Sequence, residues 1–304
     1  MAKITSIITF TDKIGNIVGM KGKDGEFYLR QHQPRPRNPR TFRQMKNRVS
    51  IPNLSTFWRS MYGKDRPSFE IKGAKESDFN AFFRVNRSAT KIYLTKPEVA
   101  LGCSLVTDYT ITVGSLQPTI CQILESNKII SDISVTSNLE FSANTTIAEL
   151  SKAIMDANPG RFQMYDQLTF VYIIQKYDPI PNSNTGGRPY LESKFYKFIL
   201  DQDNRAKVGT VIPVSGDFAP IVTESNNKYL GSNYTQNYGF GIVVSREVNG
   251  TTKVSTTKLL VNNSVAYLYT TASAREKAIA SYGRGEDNYL TPVVDTEEDL
   301  DVNP

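Results

Sequence analysis

GIVVSREVNGTTKVSTTKLLV, residues 241–261, carries the strongest fold signal in the chain. Isoleucine, valine and threonine crowd both arms, and β-branched side chains suit a pleated, half-buried surface. Between the arms stands Asn249-Gly250, a dipeptide that tolerates positive φ at both central positions of a tight hairpin turn. The segment therefore predicts an antiparallel hairpin.

Outward from it the texture is similar. Strands are expected at Lys91–Thr95, Ser104–Val113, Ile120–Leu124, Ile129–Val135, Gln167–Lys176, Lys194–Leu200, Lys207–Pro213 and Gly239–Val248. The alternation of Tyr109, Ile111 and Val113 marks a half-buried sheet. One helix interrupts them. Thr146 and Glu149 have capping-box spacing, Ile147, Leu150 and Ile154 share a face, and Asn158-Pro159-Gly160 is the stop. Two loops, Asp178–Pro189 and Ser215–Tyr238, are long and dense in Asn, Ser, Gly and Tyr, a composition suited to adaptable contacts.

Before residue 91 the period is helical. A helix is expected from about Thr41, where Thr41 and Gln44 are spaced for capping and Phe42, Met45 and Val49 share a face. Pro52 breaks or kinks it, and a second helix carries Leu54, Phe57, Trp58 and Met61 to Gly63. A third spans Ser77–Arg87 with Phe79, Phe82 and Phe83, and a last one Ala272–Ser281. These aromatic stripes read as packing surface rather than a cofactor site. The expected fold class is α+β, mainly β: an N-terminal basic hairpin arm and helices followed by β-sandwich-like units. At 304 residues two domains are expected. The divisions are 1–90 for arm and helical segment, 91–285 for the β-rich part with a possible boundary near 140–165, and 286–304 for an acidic tail.

The beginning of the chain alternates at Ile4, Ser6 and Ile8, and glycines at 15, 19, 22 and 25 punctuate the next stretch. Lys23-Asp24-Gly25 supplies a hairpin turn ahead of Glu26–Arg30. Then Gln33-Pro34-Arg35-Pro36-Arg37-Asn38-Pro39-Arg40 must be extended, because its prolines fix φ and remove donors. Charge is polarised. Residues 1–66 hold 14 Lys and Arg against 4 Asp and Glu, a net +10, whereas Glu286–Pro304 has seven acidic residues and no basic one. Opposite poles favour contact between neighbouring copies, although solvated ends explain them equally well.

Familiar catalytic chemistry finds no footing. The single histidine, His32, excludes HExxH zinc sites and, lodged beside the Pro/Arg linker, argues against His-dependent hydrolysis, no GxSxG elbow is present, and no carboxylate pair stands out by spacing. The glycines of residues 15–23 lack the Gly-Lys-Ser/Thr ending of a phosphate loop. Cys103 and Cys121 stand singly among apolar residues and read as buried free thiols. No cofactor or metal is expected. No apolar run of about 18 residues and no leader pattern is seen, which predicts a chain kept on the cytosolic side with no membrane partner and with silent Asn-x-Ser/Thr triplets at Asn86, Asn144, Asn233, Asn249 and Asn262. Arg30, Arg35, Arg37, Arg40, Arg43, Lys46 and Arg48 form a basic arm able to neutralise phosphates, so sequence-independent DNA contact is the competing reading.

The run KIGNIVGMKGKDGEFYLRQHQPRPRNPRTFRQMKNR, residues 13–48, resembles the opening of a family found in Bacteroidetes and their phages (DUF6266-like). Gly15, Val18, Gly19, Gly22, Arg30, Pro34, Asn38, Pro39, Thr41, Gln44 and Arg48 carry the resemblance. Similar text continues in order to about residue 120, in Phe79-Asn-Ala-Phe-Phe, Tyr93-Leu-Thr-Lys-Pro-Glu-Val and Gly114-Ser-Leu. The later β-rich part is similar in style to structural proteins of crAss-like phages. The resemblance implies a virion component, a ring or collar subunit of the neck or tail, present in the host cytoplasm during assembly. Its partners would be copies of itself and portal, tail or other virion proteins. On that expectation Arg35, Arg37, Arg40, Arg43 and Arg48 supply charge-assisted contacts, Pro34, Pro36 and Pro39 keep the arm extended, and Phe57, Trp58 and Met61 anchor it. Trp58 and the acidic tail lie outside the family's motif.

Overall fold

The computed structural model describes residues 2–3, 13–21, 25–32, 42–61, 69–124, 128–178, 187–234, 236–262 and 266–282. Two units are distinguished, Met1–Arg43 and Gln44–Pro304. The first holds β1 (Ala2–Lys3), β2 (Lys13–Ile14), β3 (Ile17–Lys21) and β4 (Phe27–Gln31) in one antiparallel sheet of order β1-β4-β3-β2. The expected hairpin before Arg30 is the β3–β4 pair. Lys23 and Asp24 of its turn, and the Ile4–Ile8 alternation, lie outside the described residues.

The division falls in the first turn of α1 (Phe42–Ser50), which is followed by α2 (Pro52–Ser60). Pro52 falls in the first turn of α2, where a missing N–H breaks no helical bond, so it starts the helix as well as ending the previous one. Then come α3 (Asp78–Asn86), capped by the Ser77 hydroxyl, and α4 (Lys96–Ala100), closed by a Thr95–Glu98 capping box. Next along the chain are β5 (Thr110–Thr112), β6 (Cys121–Ile123), β7 (Ile129–Val135), α5 (Ile147–Ala157), β8 (Gln167–Asp178) and β9 (Arg188–Ile199). After them run β10 (Ile221–Glu224), β11 (Asn227–Ser232), β12 (Tyr238–Val248), β13 (Thr251–Val254), β14 (Thr257–Lys258), β15 (Leu260–Asn262) and α6 (Ala272–Ser281). The chain is α+β and mainly β, as its sequence implied.

A sheet of order β13-β12-β8-β9, with β15 also on β12, forms the middle layer. Directly opposed residues of an antiparallel pair share a face, so the β8–β12 register sorts side chains into two sets. Leu168, Phe170, Tyr172 and Ile174 face one way with Val244, Ile242, Phe240 and Tyr238. These join Ile129, Ile133 and Val135 of β7, Leu230 of β11, and Ile147, Leu150, Ala153 and Ile154 of α5 in one core. The second sheet, β10-β11-β7-β6, thus packs with α5 against that face, which is the sandwich-like arrangement expected. Val171, Ile173 and Val243 face the other way, into a second core with Phe57 and Trp58 of α2 and Phe82 of α3. On this face β12 contributes Gly239 and Gly241 instead of side chains. A Cβ at Gly241 would stand 2.9 Å from Thr257 Cγ2, and one at Gly239 would stand 2.9 Å from Val106 Cγ2. The two glycines let neighbouring chain lie directly on the sheet.

Several elements differ from expectation. The Asn249-Gly250 turn forms, with φ of 51° and 72°, but the returning arm is broken. It pairs with β12 as β13, leaves to meet β5 as β14, and rejoins β12 as β15. In the gap the Ser255 N–H donates to Val244 O at 2.8 Å, Val244 N–H donates to Ser255 Oγ at 2.9 Å, and Thr257 Oγ1 donates to Ile242 O at 3.1 Å. Lys91–Thr95 is not a strand, and Lys207–Pro213 holds a short 3-10 turn, Val208–Thr210. The Ser215–Tyr238 stretch is no simple loop, since it contains the β10–β11 hairpin. Of Asp178–Pro189, residues 179–186 lie outside the described residues, and β9 begins six residues earlier than expected. The helices expected to travel with the arm in 1–90 belong instead with the β-rich body, because their aromatic faces fill its second core. No boundary falls near 140–165, where α5 packs into the core shared by both sheets.

The expected strand Ser104–Val113 shrinks to β5 because side chains take over its pairing. Asn53, fully buried on α2, donates from Nδ2 to Leu105 O at 3.0 Å and Tyr109 Oη at 3.0 Å. Its Oδ1 accepts from Leu105 N–H at 2.8 Å and Ser104 Oγ at 3.2 Å. Gln175 accepts from Val106 N–H at 3.0 Å and donates to Ser104 O at 3.1 Å, while Asn86 accepts from Thr110 N–H at 2.7 Å and donates to Thr110 O at 2.8 Å. Removing one such amide strands several buried groups, each costing about 1–3 kcal/mol. Asn53→Ala is expected to lower the urea midpoint by an amount equivalent to about 3 kcal/mol with an unchanged slope; a loss below about 0.5 kcal/mol would show that the network does not hold the 104–110 segment.

Candidate functional site

The residues expected to anchor an interface have another job. Phe57, Trp58 and Met61 are 0%, 5% and 1% exposed. The Phe57 ring meets Tyr109 edge-on at 4.9 Å, and the Trp58 ring lies 5.2 Å from that of Phe82. They fasten α2 to α3 and to the central sheet, so their burial within the chain corrects their assignment to an assembly surface. Of the arginines, Arg48 sits half-buried in the last turn of α1 with Nη1 3.9 Å from Met45 Sδ. Arg43 lies in the first turn of α1, whereas Arg35, Arg37 and Arg40 lie outside the described residues.

One recess described in the second unit is a groove of about 450 Å³ between the α1–α2 junction and α3. Asn47, Ser50, Ile51 and Leu54 line one wall. Phe83, Arg84 and Arg87 of the α3 segment line the other, with Lys91 and Tyr109 completing it. No carboxylate is among the lining residues. Arg84 is engaged, its Nε and Nη2 each 3.1 Å from an oxygen of Glu76. Arg87 and Lys91 are exposed and have no ion-pair partner among the described residues. The groove therefore offers two available cations beside an apolar strip, a surface that suits an anionic and partly apolar ligand. Sequence reasoning misses it because the cations of residues 84–91 read as the solvated back of a phenylalanine-faced helix. The available signal is their spacing of three and four residues.

A second recess of about 200 Å³ is flanked by Arg161 and Arg246, and both cations are already used. Arg161 Nη2 stands 3.1 Å from Asp132 Oδ1, and Arg246 makes two 2.7 Å contacts to Asp166. Asp166 is fully buried and also accepts from Gln163 N–H at 2.8 Å, which makes this pair a structural clamp rather than a catalytic acid.

The two thiols are held in their protonated form. Burial, with Glu98 adding to it, pushes the Cys103 thiol up to about 11. Burial and Asp132 push Cys121 up to about 12. Both stay protonated at neutral pH and are poor nucleophiles. Among the described residues no group of three His, Cys, Asp or Glu converges as metal ligands, and no helix is long and apolar enough to cross a membrane. No family model matches the chain, and no curated protein or solved structure matches it significantly.

Glu70 is a carboxylate bound to two backbone N–H groups and a hydroxyl. Its Oε1 accepts from Ser115 Oγ at 2.6 Å, and Oε2 accepts from Ser115 N–H at 3.0 Å and Val254 N–H at 2.9 Å. Burial works to raise its pKa, but these hydrogen bonds and the Lys253 charge outweigh it, and the carboxyl is held below its ordinary value. A depressed folded-state pKa contributes stability above the unfolded value and loses it as pH falls through the folded one. Glu70→Gln is therefore expected to destabilise the chain more at pH 7 than at pH 3 in thermal unfolding. Equal losses at both pH values would refute a role for its charge.

Proposed function

We propose that this chain is a structural, non-enzymatic protein of a phage virion, a ring or collar subunit of the neck or tail that joins copies of itself through its N-terminal unit. The observation that carries the reading is a sheet whose described residues bury almost nothing. In the Met1–Arg43 unit, Gly19 is the single buried residue among those described. Register puts Ile14, Ile17, Phe27 and Leu29 on one face with Gly19, Lys21 and Gln31, and Ile14 is 61% and Ile17 46% exposed. A small sheet needs packing against something to be stable in water. Covering such side chains is worth about 1.5–3 kcal/mol each, enough for this face to drive association when many copies meet. The resemblance of residues 13–48 to the phage family and the adjoining basic arm support the same reading.

The opposite face carries Lys13, Tyr28 and Arg30 beside Val18 and Met20, and its cations and ring favour a second reading, sequence-independent DNA contact in the virion. Ile14→Lys with Ile17→Lys separates the two. Light scattering after size-exclusion chromatography should show oligomers for the unaltered chain and monomers for the variant, with unchanged thermal unfolding because both positions are exposed. A chain that stays monomeric at all concentrations yet retains DNA in a salt-sensitive manner would replace the assembly reading with the second one.

A further inference from the structure

The groove between the α1–α2 junction and α3 combines free charge with an accessible ring. We propose that it binds single-stranded nucleic acid without regard to sequence, its cations holding phosphates and Phe83 receiving a base. The site is separate from the N-terminal sheet and does not depend on the assembly reading.

Charge is the first observation. Arg87 and Lys91 are exposed and have no ion-pair partner among the described residues, and no carboxylate lines the groove. Acids of adjoining segments are engaged elsewhere. Glu76 holds Arg84 through both oxygens at 3.1 Å, and Asp108 holds Lys258 at 2.6 Å. Arg87 is the C-cap of α3, where a cation also offsets the negative end of the helix dipole. That local role does not extend to Lys91, which stands four residues on in irregular chain. Cations that neutralise phosphates release counterions, so binding of this kind is salt-dependent and blind to sequence.

The ring is the second observation. Phe83 is half-buried in the groove wall, and its ring lies 4.5 Å from that of Phe79, one helical turn back and 38% exposed. Every base has a π-face, so a ring beside cations accepts bases of any kind. The other wall supplies Ile51, 45% exposed, and the exposed amide of Asn47, which can donate to or accept from a base edge. The volume of about 450 Å³ is that of a site for a small ligand, with room for one nucleotide while its neighbours run outside.

Other polyanions answer only half of this surface. A duplex offers phosphates, but its bases are already stacked on one another and leave Phe83 without a partner. Carboxylates of an acidic peptide meet the cations and likewise bring no planar group to the ring.

The test measures binding of a short fluorescent oligothymidine to the full chain by anisotropy. Arg87→Gln with Lys91→Gln should weaken it about tenfold at low salt and lower the slope of log affinity against log salt by about 1.4, the value for two single-strand phosphate contacts. Exchanging the two cations, Arg87→Lys with Lys91→Arg, should keep the slope. Phe83→Leu retains apolar bulk and removes the ring, so affinity should fall about fivefold or more with the slope unchanged. Thermal unfolding of each variant should match the unaltered chain, and Lys152→Gln, at an exposed position of α5 outside the groove, should bind normally. Four results would overturn the proposal. Absence of binding by the unaltered chain would remove the activity. Binding unaffected by the paired glutamines at 87 and 91 but lost in Lys13→Gln with Arg30→Gln would assign the strand to the N-terminal sheet. Duplex bound as tightly as oligothymidine, with Phe83→Leu silent, would leave a phosphate contact alone. Polyglutamate held more tightly than oligothymidine by the same two cations would make the partner an acidic protein.

Discussion

Burial of the β8–β12 ladder on both faces is the constraint on which the rest of the second unit depends. An antiparallel pair with one wet face needs a single hydrophobic set, whereas this one needs two, and its register supplies both. Phe170, Tyr172, Phe240 and Ile242 serve the core shared with the second sheet, and Val171, Ile173 and Val243 serve the helical side. A slip of one residue would exchange the sets and bring bulky rings to the face where Gly239 and Gly241 make room. The helices on one side and the second sheet on the other are therefore fixed by the same eight-residue pairing.

Where the sheet ends, polar side chains continue it. Ser255 and Thr257 satisfy the β12 edge where the chain departs toward β5, and Asn53, Gln175 and Asn86 pair the backbone of 104–110. A buried amide satisfies both a donor and an acceptor, so it can stand in for a neighbouring strand without one being present. This explains how α2 and α3 lie so closely on a β layer. Their asparagines are hydrogen-bonded to the same segment that their aromatic rings cover.

That substitution also sets what the sequence could disclose. Hairpins and helices governed by local chemistry were legible: Asn249-Gly250, the Thr146–Glu149 box, Ile129–Val135 and Ala272–Ser281 all form where their residues imply. Ser104–Val113 has the alternation of a strand, yet its partners are side chains from residues 53, 86 and 175, which no local pattern contains. The β10–β11 hairpin was hidden by its Asn and Ser content. It turns at Ser225-Asn226, both at positive φ, which are residues usually read as loop. The site was less legible than the fold. Amphipathic spacing identified Phe57, Trp58 and Met61 as a cluster but could not say whether its cover was another subunit or the chain's own sheet.

That distinction bears on how the protein would recognise anything. Contact residues rich in aromatic rings often dominate binding energy, but Phe57, Trp58 and Phe82 are spent internally, on packing between α2, α3 and the sheet. What the second unit leaves outside around its groove is cationic and only modestly apolar, which favours ligands held by charge and released by salt. The N-terminal sheet differs, since its isoleucines are exposed and only Gly19 is buried among its described residues. On the assembly reading these two surfaces divide the work. The apolar sheet face supplies association that salt does not abolish, and the cationic groove supplies a contact that charge can switch. Such a division lets a subunit remain soluble when dilute and still bind firmly where many copies meet.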